Sequence, residues 1–290
     1  MHPDMQDRIR ERSKTMADPA GRVRAVLEEL AALEIAWQRG IGLDEVYREA
    51  LRRGVHPCRY LRNVDILSAA DQLKLAESRV AVVGAGGLGG QVIVLLARLG
   101  VGTLVVADCD CFDETNLNRQ ALCVVETLGE PKARAASEAV AAINPGVRVI
   151  PHEVRIGGGT LDGILAGCDA AVDGLDNAPD RIVLQEAAGR LGVPLVHGAL
   201  AGFEGRVMTV MPGDAGVKPL YGDCDDRTDP ERPEAVLGVP AVTAALIGTL
   251  QAMEVLKILL GRGSLLRNRM AYVDLENGRL DMFRFGENPV

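Results

Sequence analysis

Hydrophobic and polar positions follow two periods along most of this chain. From Ser78 onward, short runs of aliphatic and β-branched residues alternate with longer segments in which apolar residues recur every three or four positions. The short runs predict strands at 79–84, 103–107, 147–151, 170–173 and 194–198, and the longer segments predict helices at 88–99, 131–142, 160–166 and 179–191. This alternation predicts an α/β fold with a doubly wound, mostly parallel sheet that is covered by helices on both faces.

The pattern changes toward the C-terminus. Residues 205–211 and 270–284 predict antiparallel additions to the sheet, and residues 212–238, rich in Gly, Pro and Asp, predict a long loop. Residues 241–260 predict a long apolar helix that lies in the core or at a dimer contact rather than in a membrane.

The first 58 residues follow a different pattern. Residues 1–20 are charged, and we expect them to be poorly ordered. Apolar positions at helical spacing predict one helix over 23–37 and a second over 43–51. We therefore expect an N-terminal helical hairpin in an extension of residues 1–58, followed by a main domain of residues 59–290. The expected role of the extension is structural or a dimer contact, and a binding module is the alternative.

Composition narrows the class of protein. The net charge of −8 argues against a broad nucleic-acid surface. We expect no membrane span, because no apolar run reaches the necessary length, and the polar N-terminus lacks the apolar core of a signal peptide. The six cysteines form no Cys-x-x-Cys pair, which predicts reduced thiols and a cytoplasmic protein.

A glycine turn at residues 84–89 is the strongest chemical signal. The β-branched run 80–83 breaks on Gly84-x-Gly86-x-x-Gly89, and an apolar helical pattern follows. Gly84 allows the tight turn, Gly86 lets a phosphate approach the backbone, and Gly89 lets helix and strand pack closely. Asp108, at the end of the next strand, is placed to bind ribose hydroxyls. The unit predicts a Rossmann-like nucleotide site but does not separate NAD from ATP.

Further cations and an acid lie at the ends of the predicted strands. A nucleotidyl transfer needs cations to neutralise a triphosphate and a carboxylate to hold Mg²⁺, whereas hydride transfer does not. The candidate residues are Arg62, Asn116, Arg119, Gln120, Lys132 and Asp176. Three of them have structural alternatives: Asp176 is also a typical helix N-cap, Asn116 a typical turn residue and Lys132 an exposed first-turn lysine. A cation is disfavoured at a helix N-terminus, and an anionic ligand would remove that conflict, so the placement of Lys132 favours binding.

From about Arg59 to the C-terminus the chain resembles the MoeB/ThiF/HesA family, bacterial relatives of the ubiquitin-activating enzymes. The motifs that carry the resemblance occur in the family's order: Arg59-Tyr60-x-Arg62, Gly84-x-Gly86-Gly87-Leu88-Gly89, Asp108-x-Asp110, Asn116-Leu117-x-Arg119-Gln120, Gly129-x-Pro131-Lys132, Ile143-Asn144-Pro145, Asp176-Asn177-x-x-x-Arg181 and the late stretch 247–254.

The resemblance implies an ATP-dependent adenylyltransferase that activates the C-terminal carboxylate of a small ubiquitin-like sulfur-carrier protein ending in Gly-Gly. It implies that Gly84, Gly86, Gly87 and Gly89 form the nucleotide turn and that Asp108 binds the ribose. Asn116, Arg119 and Lys132 would hold the phosphates with Gln120 nearby, and Asp176 would carry Mg²⁺. Arg62 would reach the γ-phosphate of ATP in the neighbouring subunit, so the active unit would be a homodimer.

The chain departs from the family at two places. Most members carry four zinc cysteines in two Cys-x-x-Cys pairs, the second of which usually follows an Asn-Pro. Here only Cys224 remains at the first pair and no cysteine follows Asn288-Pro289, so we predict no structural zinc. The acyl-transfer cysteine of some relatives falls near Glu234, which leaves Cys224 as the fallback candidate. Its acidic neighbours disfavour the thiolate, and we expect an enzyme that only adenylates.

Two other functions stay open at this point. The glycine turn and Asp108 alone would also fit an NAD-dependent oxidoreductase. The missing cysteines and the added extension would fit a nucleotide-binding scaffold that has lost catalysis. The sequence does not identify the carrier protein or its pathway.

Overall fold

The N-terminal extension combines three helices with a small sheet in the computed structural model, which describes residues 5–221 and 236–285. Its elements are α1 (Met5–Arg12), β1 (Lys14–Ala17), β2 (Val23–Leu27), α2 (Glu29–Arg39), α3 (Leu43–Arg52) and β3 (His56–Pro57). Strand β2 pairs antiparallel with β1 and parallel with β3. Ile9, Leu27, Ile35 and Val46 are buried in a core that belongs to the extension.

The sequence prediction for the extension was partly wrong. The helical hairpin exists as α2 and α3, but its first helix begins at Glu29, and residues 23–27 form a strand. Residues 5–17, predicted to be poorly ordered, form α1 and β1. The apolar positions of 23–27 fit either period, and pairing with β1 decides in favour of the strand. The predicted helix over 23–37 would place Trp37 on its apolar face, whereas the Trp37 side chain is 84% exposed on α2.

The extension is fastened to the main domain just after β3, within a 3₁₀ helix at Cys58–Asn63. Arg59 donates hydrogen bonds to both carboxylate oxygens of Glu29 on α2 and to the carbonyl of Ile143. The buried Asn144 amide donates to the hydroxyl of Tyr60 and to the carbonyl of Ala97. Arg59 and Tyr60, grouped in the sequence with the phosphate-binding cations, therefore join the extension to the body of the protein.

The main domain is an α/β unit built on an eight-stranded sheet of order β11-β10-β9-β8-β7-β4-β5-β6. After α4 (Ala69–Glu77), its elements are β4 (Arg79–Val83), α5 (Gly87–Leu99), β5 (Thr103–Ala107), α6 (Lys132–Ile143), β6 (Arg148–His152), α7 (Gly158–Leu165), β7 (Ala170–Asp173), α8 (Ala178–Leu191), β8 (Leu195–Ala201), β9 (Glu204–Val210), α9 (Lys218–Tyr221), α10 (Ala241–Leu260), β10 (Arg269–Asp274) and β11 (Arg279–Arg284). Strands β4 to β8 run parallel, and β9 to β11 are antiparallel additions. The predicted fold class is confirmed, as are the antiparallel additions.

Two apolar layers cover the sheet. Val80, Val82 and Val106 face one layer with α5 and α10, whereas Ala81 and Val105 face the other with α7 and α8. The described part of the predicted loop 212–238 contains α9, while residues 222–235, including Cys224 and Glu234, lie outside the described residues.

Helix α10 contradicts the expectation that no apolar run has membrane-spanning length. Its 20 residues have the length and the hydropathy of a span. Half of its most apolar window is buried inside the protein, including Ile247 and Val255. This packing agrees with the prediction of a core helix.

Candidate functional site

A cavity of about 440 Å³ opens at the carboxyl ends of β4, β5 and β7. The strand order reverses between β4 and β7. Strands β5 and β6 follow β4 on one side, whereas β7 and β8 lie on its other side. In open parallel sheets a crevice forms at such a switch point, and ligands bind there. Its size lies within the range of sites for small molecules.

The glycine turn forms the floor of this cavity. Gly84 has a φ of +91°, and a Cβ there would lie 2.6 Å from the carbonyl oxygen of Gly174 in the neighbouring loop. A Cβ on Gly89 would lie 1.7 Å from the carbonyl oxygen of Gly84. Gly86 is the N-cap of α5, so the unpaired amides of that helix face the cavity. Gly84, Gly86 and Gly87 line the space, and Gly89 lies beneath them.

Asp108 anchors the turn from the end of β5. One of its carboxylate oxygens accepts a hydrogen bond from the amide of Ala85, at 2.7 Å, and the other from the amide of Asp110, at 2.9 Å. Burial raises the pKa of Asp108, although these amides and the charge of Lys132 act against the rise. The carboxylate thus lines the cavity beside the glycine turn.

Two cations also line the cavity. Lys132 is only 7% exposed, and its ammonium lies 3.3 Å from the carboxylate of Asp110. Arg119 donates from one guanidinium nitrogen to the carbonyl of Thr115 and to the side chain of Asn118, both at 2.8 Å. Gln120, beside Arg119, is buried, and its amide oxygen has no hydrogen-bond partner within 5–221 and 236–285.

Asp176 lies in the loop between β7 and α8. The N-cap of α8 is Asn177, whose side chain accepts from the amide of Asp180 at 3.0 Å. The alternative role of Asp176 as that N-cap is therefore wrong. The exposed carboxylate of Asp176 lines the cavity and accepts only a long bond from Asn177, at 3.3 Å, among the bonds of the described chain.

Besides Gly89, two predicted residues do not line the cavity. Asn116 is buried, and its side chain accepts from the amide of Asp113 and donates to Thr115, which closes a 3₁₀ turn. This geometry agrees with the alternative of a turn residue. Arg62 is exposed on the 3₁₀ helix that follows the extension.

Sequence reasoning missed part of the wall. Val154, Arg155 and Ile156, between β6 and α7, line the cavity beside Asp108, and Leu175 lines it beside Asp176. The signal was available, because the carboxyl end of β6 must lie next to that of β5 in a parallel sheet. These residues add apolar surface and one cation to the wall of the cavity.

A second group of possible metal ligands lies at the same edge. Ligand atoms of Asp108, Cys109 and Asp110 come within 4.8 Å of one another. Burial and the charge of Asp110 raise the pKa of the Cys109 thiol, so the thiolate that would bind a metal is disfavoured. Since Lys132 also holds Asp110, the Asp176 loop is the better candidate for a hard cation.

The donor set fits a nucleoside triphosphate. Close-packed glycines leave backbone amides open, and a buried ammonium and a guanidinium offer positive charge to phosphates. The unpaired amide oxygen of Gln120 would accept from a hydroxyl or amino group of the nucleoside. The exposed carboxylate of Asp176 matches a cation that keeps most of its water ligands.

Residues 60–289 match the ThiF family. A SAMP-activating enzyme E1 from Haloferax volcanii is 38% identical over 240 residues, which cover 80% of this chain and 86% of that protein. A sulfur carrier protein adenylyltransferase from Thermus thermophilus is 37% identical over 227 residues, covering 75% of this chain and 82% of that protein.

Solved structures share the fold. The E. coli MccB structure with MccA-N7isoASN aligns with a TM-score of 0.69 at 21% identity, and covers 80% of this chain and 73% of that one. PaaA aligns with a TM-score of 0.64 at 17% identity, and covers 95% and 99% of the two chains. At these identities the likeness concerns architecture.

Proposed function

The chain belongs to the ThiF family, and we propose that it is an ATP-dependent adenylyltransferase that activates the C-terminal carboxylate of a small ubiquitin-like sulfur-carrier protein. One observation carries the proposal: Lys132, Arg119 and Asp176 converge with the glycine turn on one cavity. Hydride transfer would not need these three charged residues, so their presence disfavours an NAD-dependent oxidoreductase.

The reaction joins two anions, and the site offsets their repulsion. The carrier carboxylate attacks the α-phosphorus of ATP, the bond to the pyrophosphate oxygen breaks, and an acyl-adenylate and pyrophosphate form. Lys132 and Arg119 would neutralise the charge that develops on the leaving group. Asp176 would hold Mg²⁺, which would supply further neutralisation of the phosphates. Positioning and electrostatics therefore account for the chemistry without a covalent protein intermediate.

The remaining wall residues would select the nucleoside. Asp108 would accept hydrogen bonds from the ribose hydroxyls beside the glycine turn. Val154 and Ile156 would pack on the adenine, with Arg155 against its face.

A second cavity beside the nucleotide cavity would admit the carrier tail. This cavity of about 530 Å³ includes Asn118, Phe203, Leu237 and Val239 among its lining residues. Val239 also lines the nucleotide cavity, and its carbonyl accepts from Asn118, the neighbour of Arg119. We propose that the tail ending in Gly-Gly enters here and passes Val239.

We further propose a cytoplasmic homodimer. Arg62 is exposed outside the cavity of its own chain, which suits a residue that acts on the neighbouring active site. The five cysteines within the described ranges are free, as expected for a reducing compartment.

We also propose that the fold holds without a structural zinc, because Cys224 alone remains at the family's first cysteine pair. Elemental analysis of protein purified without chelators tests this. Zinc at one equivalent per chain, and unfolding on its removal, would contradict it.

ATP–pyrophosphate exchange tests the proposed function. Exchange of labelled pyrophosphate into ATP should require a carrier protein ending in Gly-Gly, and should stop when its last glycine is deleted. Tight ATP binding without exchange, for every carrier that co-purifies with the chain, would instead support a scaffold that has lost catalysis. In that case Asp176→Ala would leave the cellular function intact.

A further inference from the structure

A hydrogen-bond network built on the buried pair Asp173 and His197 adjoins the Asp176 loop. Asp173 ends β7 and His197 faces it in register on β8, and both side chains are fully buried. The Nδ1 atom of His197 lies 2.7 Å from a carboxylate oxygen of Asp173. On the other side of the ring, Nε2 lies 3.2 Å from the hydroxyl oxygen of Tyr221, the last residue of α9.

One placement of the protons satisfies every hydrogen bond in this network. The guanidinium of Arg181 donates to the hydroxyl oxygen of Tyr221, which leaves the hydroxyl proton free to donate to Nε2 of His197. Nδ1–H of His197 then donates to Asp173. Burial lowers the pKa of His197, although Asp173 acts against the fall, and a neutral ring is the form this arrangement requires.

The same residues hold the backbone next to Asp176. The second carboxylate oxygen of Asp173 accepts from the amide of Leu175 at 3.0 Å. Arg181 donates to the carbonyl of Leu175 at 2.7 Å. Asp173 and Arg181, two residues of the network, thus hold the amide and the carbonyl of Leu175, and the next residue is Asp176.

We propose that His197 and Tyr221 are positioning residues that fix the Asp176 loop through Asp173 and Arg181. The inference rests on the proposed function, because the loop matters through the cation that Asp176 would hold. On this proposal the position of the Asp176 carboxylate depends on the position of the Tyr221 side chain, at the end of α9. Substitution of residues that only orient a metal ligand commonly weakens metal affinity by about tenfold or more.

Two substitutions cut the same link from opposite sides. Tyr221→Phe keeps the ring, which lies beside the guanidinium groups of Arg181 and Arg206, at 5.4 and 5.1 Å from the ring centre, and removes the hydroxyl. His197→Asn keeps an N–H that can donate to Asp173 but is too short to reach Tyr221. The control is Tyr47→Phe, which removes a tyrosine hydroxyl bonded to Glu29 in the extension.

The magnesium requirement of ATP–pyrophosphate exchange is the kinetic readout. Each variant should raise the Mg²⁺ concentration for half-maximal exchange by about tenfold, and the double variant by no more than the larger single effect. Tyr47→Phe should match the wild type. Additive effects, or a lower melting temperature with an unchanged magnesium requirement, would indicate a purely structural role and overturn the proposal.

Hydrogen exchange of the Leu175 amide gives a readout that needs no activity. We expect faster exchange of this amide in Tyr221→Phe and His197→Asn than in the wild type or Tyr47→Phe. Protection that is unchanged in both variants would overturn the linkage, even if catalysis fell. If both variants lose protection while the wild type shows no pyrophosphate exchange with any carrier, the linkage is upheld and the proposed function is refuted.

Discussion

Lys132 occupies the first position of α6, where the helix dipole disfavours a cation, and the fold buries it there all the same. Among the described residues it forms an ion pair with Asp110, whose carboxylate is itself largely exposed. An anionic ligand in the cavity removes the conflict, and the sequence alone predicted this from the awkward placement. The environment of His197 could not be predicted in the same way, because its partners Asp173 and Tyr221 are each 24 residues away.

Lys132→Met should reduce ATP–pyrophosphate exchange by about 10²–10³-fold, because a preorganised charge on the leaving group is lost. Initial rates at saturating carrier measure the effect. Lys74→Met, which changes an exposed lysine on α4, is the matched control. A similar loss in both variants would show that the charge of Lys132 is not specific to the site.

Asp18 should make stability depend on acidity. Burial alone would raise the pKa of Asp18, but hydrogen bonds from the backbone and side chain of Arg22, the side chain of Arg24 and the amide of Ala20 lower it from 3.8 to about 2. Its contribution is therefore complete above pH 3.8 and is lost as the pH falls through about 2. Asp18→Asn should be less stable than the wild type near neutral pH.

Denaturant unfolding of both proteins between pH 2 and pH 5 measures this difference. The gap in the free energy of unfolding should be constant at the upper end and narrow toward the lower one. A gap that stays the same across the range would show that the charge of Asp18 does not contribute.

Elements differ in how far their own residues determine them. The unit from β4 through the glycine turn to α5 follows from local sequence, since the glycines are required by backbone contacts within the unit and with Gly174. Helix α10 was predicted with its exact bounds because its apolar run is long. Strand β2 was not, because five residues with ambiguous spacing take the conformation that their neighbours in β1 and β3 impose.

Two glycine substitutions should have opposite effects. Gly89→Ala places a Cβ against the backbone of Gly84 and should lower the free energy of unfolding by about 3 kcal/mol, or abolish ATP binding. Gly163→Ala, in α7, meets no atom within 4 Å and should raise it by about 0.5–1 kcal/mol. Urea titration and ATP titration of each variant check both. Tolerance of alanine at position 89 would contradict the close approach.

The whole molecule places chemistry that local patterns cannot place. The alternation of strands and helices predicted a sheet whose switch point brings Gly84, Asp108 and Asp176 together. Patterns within one element did not reveal that Arg59 and Tyr60 face the extension and the end of α6, or that Val154 to Ile156 complete the wall. Such contacts depend on how distant elements pack.

Subunit complementation tests the dimer at this scale. Arg62→Ala and Asp176→Ala should each abolish exchange. Equal mixtures, refolded together, should recover about a quarter of the wild-type rate, because half of the dimers are mixed and each holds one intact site. Recovery requires that Arg62 serves the neighbouring chain. Mixtures that stay inactive while forming mixed dimers would show that it does not.

Trp37 is the sole tryptophan of the chain, and it lies almost fully in solvent on α2. Intrinsic fluorescence excited at the indole band therefore reports on one spot of the extension, without labels and without contribution from the nucleotide cavity. A blue shift on concentrating the protein or on adding a second protein would show that this spot becomes shielded, and a constant spectrum would show that it stays hydrated.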